Sequence, residues 1–192
     1  AALGEAGDVE SHDAAEAALG MLGAAADAAG GAALESAASA AEAKAAGNRD
    51  FEARLYVDAI EHYERGIAAL DGAARGGGDD ELARALLLNK ARGHLQLGEG
   101  AKAREAASAA LARRDGWVPA MYVRARGAIV ELEARLALRP PPRDAIAMLA
   151  FASAEADTRA LEELSGGAQG SDVRKLKLQL RDARRQLRLS TR

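Results

Sequence analysis

The chain has 192 residues, a formal net charge of −3 and no cysteine, so it fits one domain with a buried core and has neither a disulfide framework nor a thiolate metal site. The small charge argues against a nucleic-acid partner, and no apolar run approaches the roughly twenty residues a membrane span needs. Hydrophobic residues make up 49% but aromatics only 3%, with alanine prominent; this composition excludes a sandwich or barrel and calls for close-packed helices with thin side chains between them.

Residues 1 to 11 read as loose. Asp13 to about Ala29 is a helical stretch of low amphipathicity that stops at Gly30-Gly31. A second stretch runs from Leu34 to about Arg54. Asp58 to Leu70 is a firmer helix, because Ile60, Tyr63, Ile67 and Leu70 fall on one apolar stripe. Asp71 to Asp80 holds four glycines and reads as a loop. Glu81 to Leu97 is helical and closes at Gly98. Glu99 to Arg114 follows, with Ala103, Ala106, Ala107 and Ala110 along one side. Asp115 to Pro119 is a turn, and Pro119 suits a first helical position.

Ala120 to about Leu136 carries Tyr122, Ala125, Ile129 and Leu132 at helical spacing. Pro140-Pro141-Pro142 breaks the chain. Asp144 to Leu164 is a long helix, Ser165 to Gly170 a linker, and Asp172 to about Leu189 a last helix. Its Val173, Leu176, Leu180, Ala183 and Leu187 share one side, with arginines around the rest. Charge is uneven along the chain. Residues 1 to 43 hold Glu5, Asp8, Glu10, Asp13, Glu16, Asp27, Glu35 and Glu42 without a lysine or arginine, whereas Ser171 to Arg192 is basic. No signal peptide is visible, and the lack of cysteine fits a reducing compartment, so a cytoplasmic location is expected. The chain starts without methionine, which fits a processed form or a fragment.

The helices come in pairs, which prompts a search for a repeat. Asn89 and Arg124 stand 35 residues apart, close to the ~34 of a helix-turn-helix unit. Gly47 and Ala91 stand 44 apart, the same period lengthened by the glycine-rich loop. The first unit reads Lys44-Ala-Ala-Gly47-Asn48-Arg-Asp-Phe51, then Tyr56-Val-Asp-Ala59-Ile60-Glu-His-Tyr63. The second has Leu88-Asn89-Lys90-Ala91, Leu97-Gly98 and Ala103, and the third begins Trp117-Val-Pro-Ala120-Met-Tyr122-Val-Arg124. These residues resemble the tetratricopeptide repeat family over about residues 40 to 135, and in particular its carboxylate-clamp co-chaperone type.

The resemblance implies an all-α fold: antiparallel helix pairs in a right-handed superhelix with a concave groove. Residues 37–166 would form three pairs and 171–190 a basic capping helix, preceded by an acidic alanine-rich extension over 1–36. The insertion from Leu136 to Arg143 displaces the second helix of the third unit. The resemblance also implies a clamp in which Lys44, Asn48, Asn89 and Arg124 bind a peptide carboxylate. Lys44 and Asn48 are four apart, so they leave one helix face together. A further clamp lysine belongs four residues before Arg124, where Ala120 stands.

The implied partner is a protein or peptide with an acidic C-terminus, such as the tail of a heat-shock chaperone. The alternative is a scaffold subunit of a large multiprotein assembly with a vestigial clamp. A third reading is a repeat module once joined to an enzymatic domain such as a prolyl isomerase. No catalytic set can be drawn from the residues, and no cofactor is implied. Gly76-Gly77-Gly78 lacks the lysine of a phosphate loop. His12, His62 and His94 are scattered without metal spacing. Trp117 is expected to pack a turn between units.

Overall fold

The computed structural model describes residues 31–32, 34–71, 77–138, 145–164 and 171–190. Among these, seven helices follow one another: α1 (34–52), α2 (Tyr56–Asp71), α3 (Gly77–Gln96), α4 (Gly100–Arg113), α5 (Val118–Leu136), α6 (Ala145–Leu164) and α7 (Ser171–Ser190). The helical stretch expected over Asp13 to Ala29 lies outside the described residues. α3 starts at Gly77, inside the expected loop, despite the low helix propensity of Gly77-Gly78.

Consecutive helices pack against each other from α2 to α7, and α3 also meets α5 while α7 meets both α5 and α6. This is an all-α array of tetratricopeptide-type pairs, α1/α2, α3/α4 and α5/α6, in a right-handed superhelix. α7 closes the far end. Val173, Leu176, Leu180 and Ala183 of α7 are buried, so the cap uses the expected stripe and leaves Arg174, Lys175, Arg181 and Arg185 in water.

Small residues set the spacing. Ala59, Ala91, Ala103 and Ala125 are fully buried, each at a point where two helices approach. A Cβ added to Gly47 would lie 2.6 Å from a ring carbon of Tyr63, the largest fully buried side chain of the first pair. The closest crossing joins α4 to α5. A Cβ on Gly100 would lie 2.4 Å from the Gly127 carbonyl, and one on Gly127 would lie 2.8 Å from the Gly100 carbonyl. The neighbours there are backbone atoms, which cannot step aside. The α3–α4 turn needs Gly98, whose φ of +72° is reached freely by glycine.

The core has two parts. One joins Ala40, Ala59, Tyr63, Leu70, Ala83 and Leu86 of the first three helices. The larger one runs from Leu87 through Ile129 and Leu132 to Leu176 of the cap. Trp117 packs against the larger core at the α4–α5 turn, with the Arg84 guanidinium 5.5 Å from the ring centre, which attracts the cation.

Candidate functional site

The first helices of the units, α1, α3 and α5, line the groove, and α7 forms its end wall. Its main cavity, about 750 Å³, takes Phe51 from α1, Arg92, Leu95 and Gln96 from α3, and Val118, Pro119, Tyr122, Val123 and Arg126 from α5. Leu161, Asp172 and Val173 complete it. A smaller hollow of about 240 Å³ lies beside it among Asn48, Phe51, Glu52, Tyr63, Asn89 and Arg92. Phe51 and Arg92 belong to both.

A hydrogen-bonded chain ties the first two units together in the smaller hollow. The Tyr63 hydroxyl donates to Asn48 Oδ1 at 3.0 Å, and Asn89 Nδ2 donates to the same oxygen at 3.0 Å. Arg92 Nη1 lies 3.5 Å from Asn89 Oδ1, at the outer limit of a hydrogen bond. Asn48 Oδ1 therefore has both lone pairs occupied, and its Nδ2 keeps two N–H donors. Burial, with Asp50 nearby, pushes the Tyr63 phenol above its ordinary value of 10.0, so it remains a donor at neutral pH. Lys44 stands one turn before Asn48 on α1 and is half-buried.

Arg124 has a partner within its own unit. Its Nε donates to Asp157 Oδ2 at 2.8 Å and its Nη2 to Asp157 Oδ1 at 2.5 Å. This fork ties α5 to α6, and the Asp157 side chain is only 5% exposed. This hydrogen bond, chiefly, raises the Arg124 guanidinium above its ordinary value. Arg124 thus fastens the third pair internally and is not among the residues lining the cavity or the smaller hollow. Ala120, at the place of the implied lysine, is fully buried.

The physical reason is helical register. Gly93 meets Ile60 and Tyr56 of α2, and Gly127 meets Gly100 and Arg104 of α4, each on the preceding pair. They are equivalent points and stand 34 residues apart. On that period Asn89 corresponds to Val123 and Arg92 to Arg126; a spacing of 35 is one residue too long. One residue turns a helix by about 100°, and two turn it by about 200°. Arg126 therefore faces the groove where Arg124 does not. Arg92, Tyr122 and Arg126 are groove residues that the clamp pattern leaves out, and the glycine pair is the signal that reveals them.

The groove rim is electrostatically mixed. Arg126 Nη1 donates to Gln179 Oε1 of α7 at 2.6 Å, and Gln179 Nε2 donates to Glu133 Oε1 at 3.3 Å. Burial and the nearby Asp172 carboxylate push the Tyr122 phenol up. On the opposite side of the first unit, His62 Nε2 lies 3.2 Å from Asp50 Oδ2. His94, 6% exposed, shares a 2.7 Å contact with Glu99 at the α3–α4 turn.

No family model matches this sequence, and no curated protein does. Among solved structures the chain is similar to the tetratricopeptide repeat domain of Arabidopsis OM64. The TM-score is 0.55 at 17% identity, over 77% of this chain and 98% of that one. At that identity the likeness establishes the fold and nothing finer. Among the described residues, no helix is long and apolar enough to cross a membrane.

Proposed function

We propose that the chain is a protein–protein interaction adaptor of the co-chaperone kind, whose groove holds an extended acidic C-terminal tail of a partner. Chaperones of the heat-shock class carry the tail chemistry that the resemblance implies, and a cytoplasmic setting goes with that reading. The Asn48–Asn89 hydrogen bond carries it, because it brings two polar groups of separate units together in the groove. In this reading Lys44, Asn48 and Asn89 hold the terminal carboxylate. Arg124 has no direct part, since its fork is filled by Asp157. Titration with an acidic peptide and with its C-terminal amide tests the proposal. The free acid is expected to bind more tightly; equal affinity removes the terminal contact.

A second reading, a scaffold subunit of a large assembly, is favoured by one observation. At the start of α6, Ile146, Met148 and Leu149 are exposed, Leu149 to 62%. Exposed apolar groups clustered in this way suit a permanent partner surface. A chain that stays soluble and monodisperse alone counts against it.

A further inference from the structure

Several arginines among the described residues each hold a carboxylate. Arg104 pairs with Glu131, Arg113 with Asp71 and Asp80, Arg124 with Asp157, and Arg184 with Glu155. In the groove, Arg92 and Arg126 instead meet the side-chain carbonyls of Asn89 and Gln179. An amide oxygen carries no net charge, and each guanidinium has five N–H donors, so both retain donors and uncompensated charge. They occupy equivalent points, 34 residues apart, on adjacent first helices and line one cavity. The carboxylates facing them are Asp172, on the α7 wall, and Glu52, in the hollow beside Arg92.

We propose that Arg92 and Arg126 form a carboxylate-binding site that takes an acidic side chain of an extended partner segment. A neighbouring apolar side chain of that segment enters the cavity against Tyr122, Val123, Leu161 and Val173. The inference rests on the peptide-binding reading above and adds the site that reads an internal acidic residue. Guanidinium forks match carboxylates with paired hydrogen bonds, which the amides now held cannot equal. Asp172 and Glu52 set the entry: they repel a segment acidic at every position and favour one in which acidic and apolar residues alternate.

The test uses two fluorescein-labelled ten-residue peptides, one ending Leu-Glu-Leu-Glu-Leu-Asp and one with both glutamates replaced by glutamine. Anisotropy is measured with wild type, Arg92→Gln, Arg126→Gln, Arg126→Lys and Arg124→Gln, and melting curves confirm folding. Arg92→Gln and Arg126→Gln are each expected to weaken the acidic peptide about tenfold or more, with Arg126→Lys between them and wild type. The glutamine peptide is expected to bind wild type weakly and to lose nothing further in the variants, since the two changes remove the same contact. Arg124→Gln is expected to keep the wild-type affinity. If the acidic peptide binds wild type and the groove variants equally, this site is overturned while peptide binding stands. If neither peptide binds wild type, the peptide-binding reading fails and takes the site with it.

Discussion

Arg124 and Arg126 stand two residues apart on α5, and their guanidiniums meet opposite surroundings. Between α5 and α6, Arg124 grips a nearly buried carboxylate with two hydrogen bonds. On the groove side, Arg126 rests on a neutral amide at the edge of a cavity of about 750 Å³. The contrast separates two uses of one residue type. A guanidinium whose fork is filled by a buried acid holds helices together. One whose partners are amides stays available to a ligand.

The largest expected effect comes from the α5–α6 pair. Arg124→Leu leaves Asp157 without its cation, and breaking such a pair costs about 3 kcal/mol, near the lower end for buried pairs because Arg124 is 30% exposed. A melting-temperature drop of several degrees checks this. Arg126→Gln is expected to shift stability by less than about 0.5 kcal/mol, as surface changes do. Equal losses in the two variants would dissolve the comparison.

Next in size is the crossing of α4 with α5, which sets the rotation of α5. Gly100→Ala places a methyl 2.4 Å from the Glu131 nitrogen and the Gly127 carbonyl. Overpacking of this kind costs about 1–3 kcal/mol, read as a lower denaturation midpoint. Gly98→Ala acts through a different cause, a φ of +72° with open space around it, and is expected to cost about 1 kcal/mol. If Gly100→Ala cost less than Gly98→Ala, the close crossing would not be what holds α5 in register.

Tyr63→Phe sharpens the groove side. It removes the hydroxyl that donates to Asn48 Oδ1 and is expected to cost about 1 kcal/mol of stability. It also loosens the Asn48 amide, so weaker binding of the free-acid peptide should accompany it. The smallest effect is a pH dependence at the α3–α4 turn. Lys102 and His94 hydrogen-bond Glu99 and hold its carboxyl below the ordinary value of 4.5. A lowered folded-state value contributes stability that is present above the unfolded value and lost as pH falls through the folded one. Glu99→Gln should therefore flatten the stability profile below about pH 4.5 and lower stability slightly near neutrality, where the wild type has the full contribution, as acid titration of the melting temperature will show.

Much of the architecture was legible in the residues. Stripes such as Ile60, Tyr63 and Leu70, or Val173, Leu176 and Leu180, mark a helix and its buried side at once, because periodicity encodes both. The turns at Gly98 and Gly116 were legible for a similar reason: both have positive φ. The start of α3 was not, since two glycines argue against a helix there. Asn48 and Asn89 were legible as polar positions on the first helices of two units, and their amides meet in a hydrogen bond. The groove position of Arg126 was harder to read: the Gly93–Gly127 spacing of 34 points to it, but which small residues mark a helix crossing is decided by packing.

The sequence by itself determined that there are helices, that they come in pairs, and which stripe of each is buried. Those properties follow from side-chain volume and spacing along a single helix. Only the tertiary structure decided which arginine of α5 faces the groove. One residue of register rotates a helix by about 100°, enough to move a side chain off the groove and onto its flank. The contact that sets this rotation, Gly127 against Gly100, joins two helices across a turn and exists only once they have packed.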